Sequence, residues 1–128
     1  SEICEKLEPA EEGLFKLKDE IARVCDAQVP DVCRSLVRFI LSTEISNIYK
    51  KIDKTRKNHN LVLVPDLAVA EKFSAKLDRI GNIKSDGRPI LGLDARNFLE
   101  ILLETSDRAF LIPAHIWTPW FSILCSKS

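Results

Sequence analysis

A chain of 128 residues, 45% hydrophobic and 30% charged, has the make-up of an ordinary soluble globular protein of at most one domain. It is long enough to bury a core and too apolar to be disordered. Lys plus Arg and Asp plus Glu stand at 19 each, so no net field draws the chain to nucleic acid or to an acidic membrane, and any DNA contact must come from a local patch.

Pro9 suits the first turn of a helix, and Glu8, Glu11 and Glu12 favour the positive end of its dipole. Leu14, Leu17, Ile21 and Val24 follow at helical spacing, with Gly13 weakening that helix and Pro30 closing the region. A strand is expected over Val37 to Leu41, running on into Ser42–Ser46, which places Glu44 at the far end of an apolar strand. A carboxylate there must be solvated, paired or bound to a metal.

Asn47 to Asn58 is polar and basic and reads as a loop. It holds Lys50, Lys51, Lys54, Arg56 and Lys57, either a solvated surface or a phosphate-binding patch. Leu61–Val64, closed by Pro65, reads as a strand buried on both faces. If it pairs antiparallel with the preceding strand, His59 and Glu44 share one edge of the sheet. Asp66 caps a helix with Val69, Ala70, Phe73, Leu77 and Ile80 on one face, and Gly81 ends it. The turn-rich loop Asn82–Pro89 has neither a GxGxxG nor a P-loop pattern, so nucleotide binding is not expected. Its Asp86 and Arg88 read equally as site residues or as a turn held by their own contact. Asp94 caps a further helix with Phe98, Ile101 and Leu102 inward.

The run Ala109–Ile112, stopped by Pro113, is expected to be a buried strand. His115, Trp117 and Trp120 follow it, where α/β proteins usually place their chemistry. On residue type alone, His115 is better explained as a packed, hydrogen-bonded residue than as a ligand. The window Ala109–Cys125 is too short, and too broken by Pro113, His115 and Pro119, for a membrane span. Cys4, Cys25, Cys33 and Cys125 lack CxxC spacing, which argues against a zinc ribbon or a redox pair. Without a signal peptide they are expected as reduced, mostly buried thiols of a cytoplasmic protein. The order helix, strand, strand, helix, helix, strand describes an α/β piece.

Lys6–Phe15, Arg38–Tyr49, Gly81–Asp94 and Pro113–Ser122 together resemble the endonuclease Q type of PHP (polymerase and histidinol phosphatase) proteins, over about Lys6 to Ser128. Members often carry a loose label as UvrD-type helicases. The resemblance implies part of a distorted (β/α)7 barrel with a cluster of divalent metals at its carboxyl edge. It further implies a metal-dependent endonuclease that cuts DNA 5′ of deaminated bases or abasic sites. Carried over by position, Glu44, His59 and His115 are metal ligands. Carboxylate oxygen and imidazole nitrogen suit Zn²⁺ or Mn²⁺, with Mg²⁺ a further candidate.

The family's His-x-His and Asp-x-His motifs have no counterpart, nor has its cysteine tetrad, and Cys125 stands where Gly is usual. The chain, 1–128, is therefore expected to be a single, incomplete PHP-like domain with an incompletely liganded metal, little or no activity alone, and open barrel edges that favour self-association. DNA is the expected partner and a membrane is not. Lys50, Lys51, Lys54, Arg56 and Lys57 would meet backbone phosphate. Trp117 and Trp120 would either stack on an extruded base or pack under the barrel mouth. The competing reading is a non-catalytic DNA-binding or scaffold domain that keeps the shell of the fold. A small-molecule phosphatase is disfavoured by the family resemblance alone.

Overall fold

The computed structural model describes residues 2–84 and 87–124. The chain divides into two compact units, Ser1–Ile40 and Leu41–Ser128. In the first, α1 (Glu2–Lys6) leads into β1 (Leu7–Pro9), which pairs antiparallel with β2 (Phe15–Leu17). Between them the backbone reverses at Gly13, whose φ of +74° is a left-handed conformation that glycine adopts without steric cost. The helix expected over Leu14–Val24 is accordingly shorter. Pairing with β1 takes Phe15–Leu17 as strand, and α2 begins only at Asp19 and ends at Asp26. Pro9 ends a strand instead of opening a helix. Phe15 is buried, and its N–H and C=O exchange hydrogen bonds with those of Phe39 at 2.9 and 2.8 Å. That isolated bridge is all the strand structure the first unit has after Asp31–Cys33, so the strand expected at Val37–Leu41 starts at its last residue. Cys4, Cys25 and Cys33 are exposed, contrary to the expectation of burial, and Cys125 lies outside the described residues.

The second unit is built on a long antiparallel hairpin, β3 (Leu41–Lys51) and β4 (Lys54–Val64), in unbroken register from Leu41↔Val64 to Lys51↔Lys54. The segment expected as a loop is the distal half of this hairpin, turned at Ile52 and Asp53 with φ of +49° and +58°. Polar residues persist in the strands because they pair. Asn60 Nδ2 donates to Asn47 Oδ1 at 2.7 Å and to Asn58 Oδ1 at 3.0 Å, and Asn47 Nδ2 donates to the Leu93 carbonyl at 3.0 Å.

After β4, α3 (Leu67–Asp78) is capped by the Asp66 carboxylate, which accepts from Val69 N–H at 2.8 Å. The short β5 (Ile90–Leu91) joins β3 in parallel, α4 (Ala95–Thr105) is capped by Asp94, and β6 (Phe110–Pro113) joins β4 antiparallel. The sheet order is β5-β3-β4-β6. One face supplies Ile45, Val62 and Val64 to a core completed by Phe73, Leu77, Leu91, Phe98, Leu102 and Ala109. Both helices expected in this unit are present with their aspartate N-caps, but α3 ends at Asp78 with Arg79 as its C-cap, so Ile80 and Gly81 lie beyond it and Ile80 is exposed. Leu61–Val64 is not buried on both sides, since Val62 and Val64 face the core while Leu61 and Leu63 stay half-exposed on the other face. The last strand is likewise not a buried one. It is an outer strand, with Phe110 and Ile112 exposed. The architecture is mixed α/β, and the strands of the described residues form two open sheets, one of two strands and one of four, with no closed barrel. Among those residues no helix is long and apolar enough to cross a membrane.

Candidate metal centre

Side chains alternate across a strand, so the register of the hairpin decides what shares a face. Glu44 lies opposite Leu61 and His59 opposite Ser46, which puts both side chains on the face turned away from the core. They sit part-way along β3 and β4, not at the sheet edge expected from the sequence. His115 arrives from the far side of β4. It follows Pro113, which pairs with Asn60, and the ladder is carried one step further by Ala114 N–H donating to the His59 carbonyl at 2.9 Å. His115 then takes a left-handed φ of +34°, which ends the strand direction.

One donor atom from each of Glu44, His59 and His115 lies within 4.8 Å of the others. His59 Nδ1 is 3.1 Å from His115 Nε2 and 3.3 Å from Glu44 Oε1. The chain therefore brings together three groups that are 15 and 56 residues apart in sequence. Two imidazoles and one carboxylate are a donor set used by catalytic zinc sites, with three protein ligands and one position left open. The residues present fit a divalent ion.

The segment after β6 wraps His59. His59 N–H donates to the Phe121 carbonyl at 3.0 Å, and the Phe121 ring stacks on the imidazole at 4.4 Å between centroids. This cover leaves the His59 side chain only 10% exposed. Its pKa is lowered from the ordinary 6.5, first by burial and then by the Arg88 charge, with Glu44 opposing and His115 adding to the fall. A neutral imidazole keeps the lone pair that ligation requires.

Thr118 fixes the second histidine. Its Oγ1 lies 3.0 Å from His115 Nδ1 and 2.8 Å from the Trp120 carbonyl. A hydroxyl donating to that carbonyl accepts from Nδ1–H, which leaves Nε2 of His115 as the free acceptor facing His59. Thr118 and Phe121 were not singled out from the sequence. The usable signal was the His-x-x-Thr spacing, which lets a hydroxyl one turn away reach back to the ring.

Arg88 is the fourth side chain at the centre. Its Nη2 donates to Glu44 Oε2 at 2.9 Å, and its Nη1 lies 3.1 Å from each ring nitrogen of His59. Asp86, its loop partner in the sequence reading, lies outside the described residues. The basic segment is divided by the hairpin. Lys50 and Lys57 fall on the face of Glu44 and His59, while Lys51, Lys54 and Arg56 fall on the opposite one. Lys51 pairs with Asp94 at 3.2 Å. Trp117 and Trp120, 73% and 59% exposed, are surface side chains and not packing under a core.

No protein-family model matches the chain, and no curated protein does. Among solved structures, the lesion-specific endonuclease PfuEndoQ of Pyrococcus furiosus superposes with a TM-score of 0.65 and 27% sequence identity, over 94% of this chain and 24% of that one. The chain thus spans about a quarter of the length of the structure it matches. The resemblance first carried by the sequence motifs holds in three dimensions: this chain is similar, in sequence and in fold, to a portion of endonuclease Q.

Proposed function

We propose that this chain is the part of a metal-dependent endonuclease, or of a shortened relative of one, that carries three metal ligands and acts on DNA 5′ of deaminated bases or abasic sites. The observation that carries this reading is the convergence of Glu44, His59 and His115 within 4.8 Å, in a chain similar to a lesion-specific endonuclease. The open sheet is read as one sector of a distorted (β/α)7 barrel.

Glu44 Oε1, one ring nitrogen of His59 and Nε2 of His115 would hold the ion, with Zn²⁺ or Mn²⁺ favoured by the mixed nitrogen and oxygen donors and Mg²⁺ the weaker fit. Such an ion supplies Lewis acidity toward a phosphodiester and lowers the pKa of water. The protein's own share is orientation. Thr118 sets the His115 tautomer, Phe121 screens His59 from water, and Lys50 and Lys57 place positive charge on the same sheet face. The exposed indoles of Trp117 and Trp120, close in sequence to His115, offer π-faces on which an extruded base can stack.

Isothermal titration of the purified, chelator-treated chain with Mn²⁺ or Zn²⁺ tests the centre. One site is expected, weak because only three protein donors are found among the described residues, and lost in His59→Ala, Glu44→Gln and His115→Ala. A wild-type chain that takes up no metal sinks this reading. It then leaves the second one, a DNA-binding or scaffold domain without chemistry, which the shortness of the ligand set favours. Binding of uracil-containing duplex by wild type, weakened in Lys50→Ala and Lys57→Ala, is expected under both. Self-association through the outer edges of β5 and β6 completes the proposal, and sedimentation over a range of concentrations checks it.

A further inference from the structure

Arg88 makes contacts that a turn in its loop does not require. A guanidinium is permanently charged, carries only donors and presents them as a planar fork. Here the fork spans the centre, one arm on Glu44 Oε2 at 2.9 Å and the other 3.1 Å from both ring nitrogens of His59. Arg88 therefore holds its positive charge on the Glu44 carboxylate and against the His59 ring, beside two of the three groups an ion would need, and two cations cannot share that place. The backbone at this point is pinned. The Pro89 carbonyl accepts from Ser46 N–H at 2.9 Å, and Ile90 pairs with Ser46 at the start of β5. Gly87 precedes Arg88 at φ +85°, so the approach of the loop depends on a residue that tolerates this conformation. Arg88 therefore cannot leave the rim without unzipping β5 from β3. Its side chain, 42% exposed, has open solvent on one side into which it can turn.

From this geometry we infer that the Arg88 guanidinium occupies the cation position of the Glu44–His59–His115 set, that a divalent ion enters by displacing it, and that the displaced side chain, held at the rim, becomes a ligand for the substrate's phosphate. The inference rests on the metal-centre reading given above. A displaced guanidinium is repelled by the ion yet stays within one side chain's length of it. At that distance from the centre the group it fits best is a phosphate, which accepts a planar fork through two oxygens. Arg88 would thus oppose metal and favour phosphate, two effects of opposite sign from one side chain.

The test measures both. Chelator-treated wild type, Arg88→Ala, Arg88→Gln and Lys50→Ala are titrated with Mn²⁺ against a fluorescent chelator, and the Mn²⁺-loaded forms are titrated with inorganic phosphate. Arg88→Ala and Arg88→Gln are expected to bind Mn²⁺ about tenfold more tightly, equivalent to releasing one charge-assisted hydrogen bond of competition. They should bind phosphate about tenfold more weakly, for the same reason in reverse. Lys50→Ala removes the same charge from the same sheet face and is expected to change Mn²⁺ affinity much less. Equal Mn²⁺ affinity in wild type and both Arg88 variants, or an equal gain in Lys50→Ala, overturns the inference while leaving the metal centre standing. Unchanged phosphate affinity in the Arg88 variants overturns its second half. If no variant and no wild-type chain binds Mn²⁺, the metal-centre reading itself has failed.

Discussion

Burial, the Arg88 guanidinium and the neighbouring His115 hold the His59 imidazole below its ordinary pKa, while Glu44 pulls the other way. The linkage follows directly. Between the depressed folded value and 6.5 the unfolded chain binds more protons at this residue than the folded one, so stability falls as pH drops through that window and is unaffected above it. In the presence of a chelator, the thermal midpoint of wild type is expected to fall more steeply between about pH 7 and pH 5 than that of His59→Asn, measured by circular dichroism. A parallel pair of curves would show that His59 does not carry the effect. Thr118→Val tests a different residue. It keeps the shape of the side chain and removes the hydroxyl that orients His115, so a loss of roughly tenfold or more in metal affinity is expected with the fold retained. At this scale the residue types of Glu44, His59 and His115 were readable, because motif resemblance works on identity and order. The contacts of Arg88, Thr118 and Phe121 were not, because a side chain's reach depends on where its loop is pinned.

The β3–β4 hairpin supports both the core and the centre, and its turn lacks the residue types that hairpin turns prefer. Two central residues with positive φ define the mirror-image turn that suits hairpin twist, and Asn-Gly is its preferred pair. Here the positions are Ile52 and Asp53, and a β-branched residue at φ +49° is strained. Replacing the pair by Asn-Gly is expected to stabilise the protein by about 1 kcal/mol, seen as a higher midpoint in urea or heat. The same mismatch is the reason the sequence predicts a loop here. Neither turn residue signals a hairpin, and Asn47, Asn58 and Asn60 sit at positions where a strand would ordinarily show apolar residues. Their hydrogen bonds to one another replace that signal. Asn47→Ala leaves Asn60 Nδ2 without one of its acceptors and the Leu93 carbonyl without its donor, at an expected cost of about 1–3 kcal/mol. The helices lie at the other extreme. Asp66 and Asp94 announce α3 and α4 through caps that need only neighbouring residues, and both elements appear where their apolar stripes put them.

For the molecule as a whole, the three candidate ligands all belong to the second compact unit. Ligand binding stabilises only what must be folded to bind, and it does so by about 2.7 kcal/mol at a hundred times the dissociation constant. Hydrogen exchange with and without saturating Mn²⁺ is therefore expected to show added protection in β3, β4 and the segment from Phe110 to Phe121, with β1, β2 and α2 unchanged. Protection rising equally in the first forty residues would show that the two units open together. Composition, caps and apolar periodicity determined by themselves that this is an α/β chain and where α3 and α4 lie, and the likeness of its short motifs to endonuclease Q singled out Glu44, His59 and His115. Each of these is encoded within a few neighbours along the chain. Only the tertiary structure decided that Glu44, His59 and His115 meet, that Glu44 and His59 stand part-way along their strands, that Arg88 contacts both of these, and that the lysines divide between two faces. The reason is the pairing register: in a strand every second side chain shares a face, so one step of slip between β3 and β4 would have sent His59 into the core and left Glu44 alone.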